Sequence, residues 1–191
     1  MKIYKLFHKV DGYKVINTKG TKIEESFIEY GNDIDFSKHE GDSFDWYSES
    51  TDKDCDFPFF NGSTPVISEE VYNVIAPLIS LHSQITNIKV GDSVFKVVDA
   101  ALIDGILDKE KSTIKYFKDG RIMNIKKYVF KSIPNIPPIF KISELKTFTF
   151  VTEDVIRALI EAKKTEGLDY LECDIIQQSP NTRSNVHLGA S

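Results

Sequence analysis

Little in this 191-residue chain suits an exported, membrane-bound or metal-stapled protein. It has two cysteines, Cys55 and Cys173, far apart and in no metal or redox spacing. Two thiols cannot staple a secreted fold of this size, so both read as reduced cysteines of a cytoplasmic protein. Long apolar runs are lacking too. The opening MKIYKLFHKV has no signal-peptide core, and no window approaches the roughly 18 apolar residues of a membrane span. The histidines, His8, His39, His82 and His187, are scattered and accompany no HExxH or CxxC pattern. No serine sits in GxSxG, and Gly91, Gly105 and Gly120 are isolated rather than gathered into a phosphate-cradling GxxxxGK loop. A Cys-His pair stays open as a possibility, because such partners meet only in the fold. Cys55, however, lies between Asp54 and Asp56, which suppress a thiolate.

Aromatic residues and charge are plentiful. Thirteen Phe, eight Tyr and one Trp, with 41% hydrophobic residues, specify a globular domain rather than a disordered chain. The length fits a single domain over 1–175 with a polar tail over 176–191, without internal repeats or a linker. A net charge of −5 argues against a general nucleic-acid binder. Its distribution is uneven: residues 24–56 hold twelve acids and two bases, a formal −10, and the rest of the chain carries +5.

The order of elements predicts an α+β fold: a mixed, largely antiparallel sheet with two main helices and a long acidic loop. Ile3–Phe7 reads as a strand closed by Asp11-Gly12. Residues 22–30 fit a strand or a short helix. From 31 to 63 the chain is rich in Asp, Ser and Gly without sustained periodicity, which predicts a surface excursion. Ser68-Glu69-Glu70 opens a helix with an apolar stripe at Val71, Val74, Ile75 and Leu78, kinked or ended at Pro77. Strands follow at Val94–Val98, at Thr113–Phe117 with a turn at Lys118-Asp119-Gly120, at Tyr128–Phe130 and at Ile139–Ile142. Thr152 caps a second helix with a stripe of Val155, Ile156, Leu159 and Ile160, Gly167 marks its stop, and Leu168–Cys173 forms a closing strand.

Asp52, Asp54 and Asp56 alternate like the first half of a calcium loop, but the required glycine and bidentate glutamate are replaced by Phe57 and Ser63. No metal or other cofactor is expected. The acidic segment has two readings, a solvated loop or a recognition surface. In the second, Asp42, Asp45, Glu49, Asp52, Asp54 and Asp56 attract a basic partner while Phe44, Trp46 and Tyr47 anchor it. Its rivals are a small metal-dependent hydrolase using the same carboxylates and a structural interaction domain.

A run of short elements carries a resemblance: Asp108-Lys109-Glu110-Lys111-Ser112, then Tyr116 to Ile122, Tyr128-Val129-Phe130, Pro138-Ile139-Phe140-Lys141-Ile142, Phe150-Val151-Thr152-Glu153, and Gly167 to Glu172. In this order they resemble the immunity proteins of bacterial polymorphic toxin systems, immunity family eleven and the similar family forty-three. The likeness covers about residues 65–175, and the N-terminal Met-Lys-Ile-Tyr-Lys-Leu is compatible with it. The chain departs from the family's "aGltGl" closing turn, with Lys164-Thr165-Glu166-Gly167-Leu168 in its place. The resemblance implies a cytoplasmic α+β protein that binds and neutralises a cognate toxin domain and carries no catalytic centre. It assigns no residues to the toxin-binding surface.

Overall fold

The computed structural model describes residues 1–9, 11–30, 33–47, 52–60 and 64–176, Tyr30 as backbone only. Two helix starts set its plan. Strand β5 (Thr64–Ser68) ends on Ser68, whose hydroxyl accepts the Val71 N–H at 3.3 Å and opens α2 (Glu69–Ile79). Strand β13 (Phe150–Thr152) likewise ends on Thr152 in extended backbone and opens α3 (Glu153–Glu161), here with no side-chain capping bond. Ile67-Ser68-Glu69-Glu70-Val71 and Val151-Thr152-Glu153-Asp154-Val155 thus play the same part, 84 residues apart.

The likeness extends through both sheets. In the first half, β6 (Ser83–Val90) returns from α2 and turns through Gly91-Asp92 into β7 (Ser93–Ala100), which lies between β6 and β5, antiparallel to both. On the far side of β5 runs β4 (Phe59–Phe60), and on the far side of β6 run β3 (Ser43–Tyr47), parallel to it, and β2 (Val15–Asn17). In the second half, β14 (Leu168–Ile176) returns from α3, with β11 (Val129–Lys131) parallel beside it, and β12 (Ile139–Ile142) flanks β13. The place of β7 is taken by β1 (Ile3–His8), antiparallel to both β14 and β13. The first strand of the chain therefore completes the sheet of the last helix. Phe44 beside Val90 and Phe130 beside Ile175 hold matching positions, buried but for the half-buried Ile175.

The halves meet over one core. Val71, Ile75 and Ile79 of α2 and Val155, Ile156 and Leu159 of α3 pack with Leu6, Phe57, Phe59, Val98 and Val151. Each sheet packs its other face on a separate cluster: Phe36, Phe44, Phe60 and Phe95 with Ile23 of α1 (Lys22–Tyr30), and Phe130, Phe140, Phe150 and Tyr128. A short strand β8 (Leu102–Ile103) pairs with β12, and the ammonium of Lys141 reaches Asp99 of β7 at 2.7 Å, so the seam is also polar. The ribbon of β9 (Thr113–Tyr116) and β10 (Ile122–Lys127) stands apart from both sheets.

Several expectations change. The α+β class holds, but the strands form two six-stranded sheets and a ribbon among the described residues, and α1 is a third helix. The two sheets also share one strand arrangement around a strand-to-helix start, a correspondence of topology rather than of sequence repeat. The stretch 31–63 is more than a loop: its described residues supply a 3-10 turn (Phe36–His39), β3 and β4, and Phe44, Phe57, Phe59 and Phe60 are buried. Helix α2 runs two residues past Pro77. Ile160 is 51% exposed, outside the stripe of α3, because Val155, Ile156 and Leu159 already face the core. Lys163, at φ 56°, makes the left-handed turn after α3, while Gly167 serves a close approach described below.

Candidate functional site

Alternation along β3 divides the predicted residues. Successive side chains of a strand point to opposite faces, so Phe44 and Trp46 face the core cluster of the first half while Ser43, Asp45 and Tyr47 face outward. Trp46 is half-buried, edge-on to Phe95 with ring centroids 5.5 Å apart. It also lies against the β6–β7 turn: a Cβ on Gly91, itself at φ +58°, would stand 3.4 Å from the indole.

The exposed side of Trp46 opens on a groove of about 520 Å³. Asp54 and Asp56 line it, joined by Glu69 and Glu70 from the first turn of α2 and by Glu166 from the turn before β14. Val94 and Phe95 form its apolar wall. Carboxylates at the start of α2 are favoured by the helix dipole, which explains why Glu69 and Glu70 are there in local terms. The fold gives them a second setting beside the indole.

Lysines partly balance this charge. Lys14 holds Asp54 at 2.6 Å, Lys96 holds Glu69 at 2.9 Å, and Lys164 holds Asp56 at 3.3 Å and also Glu70. The hydrogen bond from Lys164 keeps the Glu70 carboxyl below its ordinary range, and the same contact raises the ammonium. Asp54 and Glu70 are the exposed partners, at 90% and 71%, whereas Lys96 is 12% exposed and Lys164 and Asp56 are 26% and 24% exposed. Exposed pairs of this kind are worth about 0–1 kcal/mol. Asp54 and Glu70 are therefore the carboxylates that an incoming cation reaches at the smallest cost.

Of the residues expected to form the surface, the groove gathers Trp46, Asp54 and Asp56. Asp45 and Tyr47 face outward from the opposite side of β3 and do not line it, Tyr47 69% exposed. Asp42 lies near the far end of β3, paired with His39 at 2.9 Å. Asp52 is half-buried and Glu49 falls outside the described residues. Among the described residues, no three His, Cys, Asp or Glu side chains are grouped to hold a metal ion. Sequence reasoning missed Glu69, Glu70 and Glu166, since the first two were fully accounted for by helix initiation.

The fold does bring a cysteine to a histidine. Cys55 Sγ lies 3.8 Å from His8 Nε2, and the imidazole stacks on Phe59 at 5.8 Å. Burial pushes the Cys55 thiol up to about 12 and the His8 imidazole below its ordinary range. The shifts favour the neutral form of both groups, the reverse of an activated thiolate-imidazolium pair. Gly167 closes this spot: a Cβ there would fall 2.0 Å from Cys55 Sγ. Cys173, in the second core cluster, is likewise raised to about 12 by burial.

No helix among the described residues is long and apolar enough to cross a membrane. No protein-family model matches this chain, and no curated protein matches it.

Proposed function

We propose that this protein is a non-catalytic immunity protein, which binds and neutralises a cognate bacterial toxin domain in the cytoplasm through the Trp46 groove. The observation that carries the reading is a half-buried indole set among Asp54, Asp56, Glu69, Glu70 and Glu166 in one open groove. An aromatic anchor with a carboxylate rim suits a protruding lysine or arginine: the alkyl stem lies on the ring, the charge finds the carboxylates, and the acidic field speeds encounter. A toxin domain with a basic functional face offers such side chains. The resemblance of residues 65–175 to toxin-immunity families supports the same class of partner. The neutral Cys55–His8 contact fits a role without nucleophilic chemistry.

The test is co-expression with the toxin domain encoded by the neighbouring gene. The wild-type chain restores growth and co-purifies with the toxin. The double variant Trp46→Ala, Glu69→Lys keeps its circular dichroism spectrum and loses both properties, with affinity falling at least about tenfold, as expected on loss of an interface anchor. Full protection by that variant, or failure of the wild type to bind, refutes the proposal.

A further inference from the structure

His39 is buried, and both of its ring nitrogens meet side chains of the same chain. Nδ1 lies 2.9 Å from Asp42 Oδ2, and Nε2 lies 3.2 Å from Ser26 Oγ of α1. A carboxylate only accepts, so the neutral imidazole carries its proton on Nδ1. Nε2 then turns its lone pair to the hydroxyl, and Ser26 donates to it. Serine, imidazole and carboxylate thus stand in the order of a nucleophile, its base and the group that orients the base.

Local structure holds the three in place. The Asp42 N–H donates to the His39 carbonyl at 3.0 Å across Glu40 at φ −58°, ψ 121° and Gly41 at φ 80°, the angles of a type II turn. That turn folds the Asp42 carboxylate back onto the imidazole. It is fastened to β6: Glu40 accepts from the Asn87 N–H and Nδ2, each at 2.8 Å, and the Gly41 N–H donates to the Asn87 carbonyl at 2.7 Å. A buried histidine needs partners for its nitrogens, but that need does not place it in an open groove. Ser26, half-buried, and His39 both line a groove of about 500 Å³ between α1 and the 3-10 turn. Lys22, Glu25 and Glu29 line it from the face of α1 that carries Ser26, three or four residues apart. Asp33 and Asp35 in the same groove are engaged by Lys146 and Lys38, whereas Glu25 and Glu29 enter no ion pair among the described residues. Two carboxylates against one ammonium leave the Ser26 face negative.

We propose that Ser26 is a covalent acceptor, which takes an acyl group bearing a positive charge from an activated ester, with His39 as general base and Asp42 as the residue that positions it. Oγ bonds to the carbonyl carbon while its proton passes to Nε2; the bond to the leaving oxygen or sulfur breaks, and Nε2 gives the proton to the alcohol or thiol released. The serine ester left behind has a poor leaving group. Ser26 is also the fifth residue of α1, so its own N–H is bonded within the helix and is not turned to the oxyanion that attack by water would create. The transfer therefore stops at a single acyl group per chain, a modification rather than turnover, and it stands independently of binding at the Trp46 groove.

Two reagents test it on the full chain. A fluorophosphonate is expected to form a single adduct, Oγ bonding to phosphorus as fluoride leaves, and peptide mass mapping places it on Ser26. The p-nitrophenyl ester of a trimethylammonio acid is expected to release p-nitrophenolate in a burst equal to the chain concentration, faster than the matching ester of an acid that carries a second carboxylate. Ser26→Ala, at a helix position that alanine suits, keeps the circular dichroism spectrum and loses both adduct and burst. Asp42→Asn slows both reactions at least about a hundredfold. The inference is overturned if the wild type forms no adduct, if the adduct maps elsewhere or survives in Ser26→Ala, or if Asp42→Asn reacts at the wild-type rate. Equal rates for the two esters overturn the charge assigned to the acyl group, and continuous release of p-nitrophenolate overturns single transfer in favour of hydrolysis.

Discussion

In the first half of the molecule, the strand at the centre of the helix-bearing sheet follows β6 directly through Gly91-Asp92. In the second half the same place is filled from the opposite end of the chain: Ile3 lies against Cys173 as Phe95 lies against Ile88. The gap between Ile175 and Met1 is where a two-residue turn would sit. The same architecture is built once contiguously and once with a borrowed strand. Its grooves differ correspondingly. Beside the Gly91 turn lies Trp46 with its carboxylates and the start of α2, whereas a groove of about 540 Å³ beside Met1 in the second half, which the start of α3 does not line, holds Lys2, Lys111 and Lys127 with Glu172 and Asp174. The two sheets therefore share a strand arrangement and differ in the side chains that line their grooves.

The most severe way to break this equivalence is to remove β1. A chain lacking residues 1–8 leaves β13 and β14 without their shared partner, and it is expected to lose the cooperative unfolding transition seen by circular dichroism. Reconnecting the strand as the first half does, with a two-residue turn from Ile175 to Met1 and a new start at Asp11, is expected to restore that transition close to the wild-type midpoint.

The seam between halves comes next. Gly167→Val places a Cβ on Cys55 Sγ and a β-branched residue at φ +81°, and it should cost about 3 kcal/mol or more in urea unfolding. Cys55→Ala in the same chain should recover part of that loss.

The two helix starts differ in one bond, and that difference is measurable. Ser68→Ala removes the cap of α2 and should cost about 1 kcal/mol. Thr152→Val, which removes a hydroxyl that makes no capping bond, should change stability by less than half of that. Equal costs would show that both caps act alike in solution.

The smallest effect is a pH dependence at His8. Its folded pKa lies below the unfolded value because burial disfavours the imidazolium, so below the ordinary value of about 6.5 the unfolded chain takes up a proton that the fold resists. Stability should fall as pH drops from about 6.5, by at most about 1.4 kcal/mol per pH unit from this residue. His8→Gln should flatten that part of the curve.

Much of the scaffold was legible in the sequence. Caps and apolar stripes placed α2 and α3, and β-branched or aromatic runs placed β1, β7, β12 and β14. Residues 22–30 stayed undecided because nine residues give too few turns for periodicity to separate helix from strand. The 31–63 stretch read as a loop because β3 and β4 are five and two residues long, too short to show alternation among so many acids. The shared strand arrangement was hidden for another reason: its echo in sequence is confined to the two helix starts, and β1 lies at the other end of the chain from the sheet it completes. The candidate groove was half legible. Trp46, Asp54 and Asp56 stood out by charge and aromaticity, while Glu69, Glu70 and Glu166 join them only through tertiary packing.

Trp46 is the single tryptophan of the chain, so one 5-fluorotryptophan label reports on the groove alone. The decisive measurement is the ¹⁹F spectrum of the labelled protein titrated with the toxin domain encoded beside it, at low and high salt. The account predicts that the resonance shifts or broadens in step with complex formation, and that high salt reverses the change. A complex that forms while the Trp46 resonance stays unmoved would contradict it.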